Sequence, residues 1–153
     1  ITMGGNMLLD IGPKEDGTIV PEEEELLIGI GDWIRDNEEA IYGTKEGIMT
    51  RYYLGGSTMS HDEETLYLFV YDNPKENVCL KGLCNKVKKA TVLHSGKELN
   101  YEIHGGVPWF NIPGTIWFDL TPEDCHENVT VLKIEVEGKI EMYGGSGAVV
   151  THN

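Results

Sequence analysis

Two hydrophobic periods divide the chain. Near its start a short apolar run, Met7-Leu8-Leu9-Asp10-Ile11, is closed by Gly12-Pro13. A run of this length bounded by turn residues predicts a strand buried on both faces, as in parallel sheets. A polar loop follows from Pro13 to Thr18, and then the period changes. Pro21 suits a first helical position, where its missing N–H would be unbonded anyway. Glu22 to Glu25 place four carboxylates at the positive end of the helix dipole. Leu26, Leu27, Ile30, Trp33 and Ile34 recur at spacings of 3 and 4, which makes one apolar stripe. Asn37 is placed to cap the helix, and Ala40-Ile41-Tyr42-Gly43 leads out. Together these segments form one β/α unit. Such a unit is not a domain by itself, because both faces of its strand need partners that this chain does not supply.

From about residue 45 the pattern is β throughout. Leu66–Tyr71, Val87–His94, Leu99–Ile103, Thr115–Leu120 and Val129–Val136 are rich in β-branched and aromatic residues. In the last of them Val131, Lys133 and Glu135 alternate with Leu132, Ile134 and Val136. Turn chemistry separates the runs, at Asp72-Asn73-Pro74, Ser95-Gly96, Gly105-Gly106 and Pro113-Gly114. The expected fold class is mainly β: an antiparallel β-sandwich over residues 45–143, preceded by the β/α unit of residues 1–44. Residues 144–153, opening on Gly144-Gly145-Ser146-Gly147, read as a tail or linker.

Charge and composition narrow the classes of function. The chain has 153 residues, with 12 Lys+Arg against 26 Asp+Glu, a formal charge of −14. A surface this acidic excludes a nucleic-acid binder that works by neutralising phosphates. Hydrophobic residues make up 40% of the chain, enough for a core. No stretch approaches the roughly 20 apolar residues of a membrane span, so neither nucleic acid nor membrane is an expected partner. The opening Ile1-Thr2-Met3-Gly4-Gly5 has no basic-then-apolar signal that would report targeting.

The candidate chemistry is sparse. The five histidines, His61, His94, His104, His126 and His152, form no i, i+2 or i, i+4 pair. They read as scattered imidazoles, and no metal site is expected. Cys79, Cys84 and Cys125 are too few for a disulfide scaffold; Cys79 fits a strand as core filler, while Cys79–Cys84 or Cys84–Cys125 could pair in an exported protein. Glu22 to Glu25 are explained by the helix start, and Asp62-Glu63-Glu64 by a loop before a strand. Neither cluster has the apolar surroundings that raise a carboxyl pKa for acid catalysis. Asn128-Val129-Thr130 satisfies the glycosylation pattern but is common by chance. In Val107-Pro108-Trp109-Phe110-Asn111-Ile112-Pro113-Gly114 an exposed Trp could stack on a sugar ring, which would suit a carbohydrate-binding module. The expectation, however, is that Trp109 and Phe110 are buried in a core or an interface.

Four segments carry a resemblance. Gly4-Gly5-Asn6-Met7-Leu8-Leu9-Asp10-Ile11-Gly12-Pro13, Asp16-Gly17-Thr18-Ile19, Gly31-Asp32-Trp33-Ile34 and Glu39-Ala40-Ile41-Tyr42-Gly43-Thr44 occur in the order found at the end of the catalytic domain of family-29 glycoside hydrolases, the α-L-fucosidases. Leu66 to Tyr71, Leu80 to Leu83 and Gly105 to Trp109 are similar to segments of that family's C-terminal sandwich. The resemblance implies that residues 1–44 are the last strand and helix of a (β/α)8-like barrel. It further implies a parent enzyme that is exo-acting and retaining, releases terminal α-linked fucose and needs no cofactor. The aspartate nucleophile, the usual glutamate acid/base and the fucose-binding histidines would lie in earlier barrel strands, so the chain alone is expected to be inactive. Active sites of such barrels lie at the C-terminal ends of the strands, which singles out Asp10 and Ile11. Ile11 occupies the apolar position that in the family borders the sugar's methyl group. Asp10 stands where the family more often has Asn. The expected partners are a fucosylated glycan, through the parent enzyme, and the remainder of the barrel, or failing that a second copy of the chain. The expected location is periplasmic or secreted.

Overall fold

The alternation downstream of residue 45 becomes two antiparallel sheets facing one another. The computed structural model describes residues 1–71 and 77–145. The larger sheet contains β1 (Thr44–Glu46), β2 (Gly56–Ser60), β3 (Thr65–Val70), β5 (Val87–Val92) and β8 (Thr130–Val136), in the order β1-β2-β3-β8-β5. The smaller holds β4 (Val78–Lys81), β6 (Tyr101–His104) and β7 (Thr115–Phe118), in the order β4-β7-β6. Leu66 faces Ile134 and Leu68 faces Leu132 across the β3–β8 pair. These side chains meet Leu80, Ile116 and Phe118 of the smaller sheet to form the main core. Phe118, Leu66, Leu68, Leu80 and Leu132 are completely enclosed.

β3 is covered on both faces. Its other side chains, Tyr67 and Phe69, join Val131 and Ala40 in a second, smaller core against which Trp33 packs. That explains why the sequence Thr65-Leu66-Tyr67-Leu68-Phe69-Val70 is apolar almost throughout rather than alternating.

Three strands carry little sequence signal. β1, Thr44-Lys45-Glu46, is a polar edge, and β4 is only four residues long. β2, Gly56-Ser57-Thr58-Met59-Ser60, buries Ser57 and Thr58 where a pattern reading looks for apolar residues. Their hydroxyls are satisfied internally: Ser57 Oγ accepts from the Ile48 N–H at 2.9 Å, and Thr58 Oγ1 donates to the Ala40 carbonyl at 2.7 Å. The turn Asp72-Asn73-Pro74 lies outside the described residues, as does the tail from residue 146 onward.

The helix α1 spans Pro21–Asp36, beginning at the proline as its chemistry requires, and Asn37 caps its end. Asn37 is buried; its N–H donates to the Ile34 carbonyl at 3.1 Å and its Nδ2 to the Trp33 carbonyl at 2.9 Å. A short second helix, α2 (Glu38–Ile41), follows directly. Residues 7–11 depart from the strand expected there. They form no strand, pair with no neighbour and are exposed, because a strand of the buried type forms only where neighbours cover both its faces, and here both faces stay open. The stripe on α1 is likewise largely uncovered: no residue of that helix is buried.

Candidate functional site

Asp10 and Ile11, the substrate-contact candidates, lie on this open segment. Asp10 Oδ1 accepts the N–H of Ile11 at 3.0 Å, a contact within the segment itself. Ile11 is 38% exposed. Beside the segment runs a cleft of about 760 Å3, walled by Met7 and Leu9 on one side and by Ile30, Ile34, Ile41 and Tyr42 on the other. Asp10 and Ile11 do not line it.

Among the described residues no acid–base pair takes shape around them. The carboxyl shifts run opposite to those of a general acid. The Ser60 hydroxyl holds Asp62 below the usual carboxylate range, and Lys45 does the same for Glu63. Asp16 is lowered chiefly by the Thr18 hydroxyl, at 2.7 Å. Among the described residues no group of three His, Cys, Asp or Glu side chains is arranged to hold a metal ion, and Cys79, Cys84 and Cys125 are free thiols. The fold does bring His94 and His126 together, with ring centroids 5.3 Å apart, a proximity that their separation in sequence conceals.

Most of the remaining motif residues are structural joints. Asp16-Gly17-Thr18 closes a turn in which the Thr18 N–H and hydroxyl both donate to Asp16 Oδ1. Trp33 reaches from α1 to the sandwich: its Nε1 donates to the Val129 carbonyl at 2.8 Å, and its ring tilts against Phe69 at 6.4 Å. Glu39 accepts from the Tyr67 hydroxyl at 2.7 Å and pairs with Lys133 at 2.5 Å. Burial raises the Glu39 pKa, but the bonds from Lys133 and Tyr67 overcome it, and the carboxyl titrates below its ordinary value. Ala40 is enclosed and receives Thr58. Gly43 has φ +66, open to a residue without a Cβ, and the Thr44 hydroxyl returns to the Ile41 carbonyl at 3.1 Å. Sequence reading missed the Glu39–Tyr67–Lys133 contact, since its members come from three distant segments and share no spacing.

Trp109 and Phe110 correct one half of a second expectation, burial in a core. They are not in a core: Trp109 is 79% and Phe110 70% exposed, on a short 3-10 turn between β6 and β7. Neither ring joins the two clusters of buried side chains.

The comparisons with known proteins agree with one another. The family model described as alpha-L-fucosidase matches residues 1–39. Tissue alpha-L-fucosidase of Rattus norvegicus is 53% identical over 45 residues, which cover 29% of this chain and 10% of that protein. Alpha-L-fucosidase of Dictyostelium discoideum is 30% identical over 143 residues, covering 88% of this chain and 30% of that protein. Among solved structures, alpha-L-fucosidase isoenzyme 1 from Paenibacillus thiaminolyticus matches with a TM-score of 0.69 at 28% identity, over 87% of this chain and 31% of that one. The chain thus spans less than a third of the relatives it matches. From the motif order, the joints those motifs build and these likenesses, it follows that the chain belongs to the α-L-fucosidase family and corresponds to the C-terminal portion of its members.

Proposed function

We propose that this chain is the C-terminal part of an exo-acting, retaining α-L-fucosidase that removes terminal α-linked fucose from glycans. Residues 1–44 supply the terminal β/α unit of the catalytic barrel, and residues 45–143 form a sandwich that braces it. One observation carries this reading. The β/α unit is joined firmly to the sandwich through Trp33, Glu39 and Ala40, yet it leaves Met7, Leu8, Leu9, Leu26 and Ile30 in water. Leu8 is 96% exposed. Burying each such side chain is worth about 1.5–3 kcal/mol, and the remainder of a barrel would cover this face. Ile11 then borders the sugar's methyl group, with Asp10 beside it at the strand end. The nucleophile and acid/base belong to the rest of the barrel, so the 153-residue chain alone does not hydrolyse fucosides.

The test is turnover of an aryl α-L-fucoside. The purified chain is expected to give none, and the full-length parent is expected to hydrolyse the substrate. Turnover by the chain itself, free of full-length enzyme, would overturn the reading, as would a parent without fucosidase activity.

A further inference from the structure

The loop between β6 and β7 presents two aromatic rings to solvent from a backbone that is fully built. Val107 and Ile112 exchange hydrogen bonds, at 2.8 and 3.2 Å, which close the loop at its base. Pro108 opens the turn, the Phe110 N–H donates to the Val107 carbonyl at 2.9 Å, and the Asn111 N–H donates to that of Pro108 at 3.1 Å. Asn111 takes the left-handed conformation at φ 54, and Gly106 lies so close to the Gly114 nitrogen that any Cβ there would stand 2.7 Å from it. These contacts define the path of the loop's backbone, which holds both side chains out from the sheet. Trp109 and Phe110 lie 6.5 Å apart at an interplanar angle of 52°. Large apolar side chains held out in water on a rigid support mark a binding surface. A preformed surface also loses little ordering entropy when occupied.

The surroundings restrict the ligand. Phe110 forms one wall of a cleft of about 720 Å3 whose far side is Glu141, Met142 and Tyr143, with Asn111 at its edge. No Lys or Arg lines the cleft, and the chain's charge is −14. Sulfated, phosphorylated and sialylated ligands are therefore repelled. What remains is a ligand with an apolar face for the Phe110 ring and neutral hydroxyls for Asn111 and the Glu141 carboxylate, with Trp109 standing beside Phe110 but outside the cleft lining. A pyranose ring has both.

We infer that the Trp109–Phe110 loop is a binding site for neutral oligosaccharides, holding a sugar ring against its exposed aromatic side chains. This site does not depend on the fucosidase reading, and its test uses no hydrolysis.

Ligand-observed saturation-transfer NMR on the full 153-residue chain, with cellotetraose, mannotetraose and lacto-N-tetraose as neutral probes and a heparin tetrasaccharide as the anionic one, reads it directly. At least one neutral probe is expected to bind, the heparin probe is not, and Trp109→Ala should weaken binding about tenfold. Because the side chain is exposed, the variant's thermal midpoint should match that of the unmodified chain; Trp109→Phe, which keeps a ring, should retain most of the binding. Absence of binding by all the neutral probes would overturn the inference. So would undiminished binding by Trp109→Ala, or self-association of the chain that this substitution abolishes, since the loop would then be a protein contact.

Discussion

His94 is half-buried against His126, and its Nδ1 is enclosed without a hydrogen-bond partner. Burial first, and then the charge on His126, hold its pKa below the ordinary 6.5, while Asp36 and Asp124 pull more weakly the other way. The folded state therefore favours the neutral ring. The stabilisation this gives is complete above the unfolded pKa and is lost as pH falls through the depressed folded value. Denaturant unfolding is expected to show stability declining as the pH drops below about 6.5, and His94→Gln should flatten that part of the profile. Glu39 acts in the same direction at lower pH. Its folded pKa is also depressed, so its contribution is present above the carboxylate range and disappears only in acid. Glu39→Gln should cost roughly 1 kcal/mol near neutrality, because the carboxylate is partly exposed, and the difference from the unmodified chain should vanish in acid. Little of this was legible beforehand. The sequence placed Asp10 and Ile11 at a strand end by motif, whereas the pairing of His94 with His126, or of Glu39 with Lys133, exists only once β8 has been laid between β3 and β5.

The helix α1 shows how far a pattern can be trusted at the level of an element. Its start at Pro21, its cap at Asn37 and its apolar stripe all read correctly, since each is a local property. What the stripe faces is not local. Trp33 supplies the hydrogen bond that ties the helix body to the sandwich, and Gly29 and Gly31 lie in the middle of the helix. Each glycine costs about 1 kcal/mol relative to Ala, and a lone helix of this length is marginal in water. Hydrogen exchange on the 153-residue chain should find the amides of α1 exchanging much faster than those of β3 and β8. Trp33→Phe, which keeps a ring against Phe69 but removes the donor to Val129, should quicken exchange in α1 further and leave the sheets unchanged. Gly29→Ala and Gly31→Ala have open space around the added methyl groups, so together they should slow it. Equal protection of α1 and the sheets would show that the helix is held by more than Trp33. The strands divide by the same logic: β3 and β8 carry dense apolar sequence and were legible, whereas β2 buries Ser57 and Thr58, whose hydroxyls give no hydrophobic signal.

Over the whole molecule, an apolar surface and an acidic charge oppose one another on the same segment. Residues 1–44 hold 11 acids and 2 bases, a net of −9, and they also expose Met7, Leu8, Leu26, Ile28 and Ile30. Two copies of the chain can hide these side chains against each other, and the transfer energy favours it. Bringing two such segments together also concentrates negative charge, which is costly when the screening length is long. That length falls from about 30 Å at 0.01 M salt to about 3 Å at 1 M. Repulsion is thus removed by salt while burial of the apolar faces is not. Sedimentation velocity on the isolated chain is expected to show little association at low salt and concentration-dependent association at high salt. An interface built on ion pairs would show the reverse trend. Leu8→Glu with Leu26→Glu should keep the chain monomeric in both conditions without changing the thermal midpoint of the sandwich, as both side chains lie outside its core. Association that weakens with salt, or that survives this double substitution, would place the contact elsewhere than on residues 1–44.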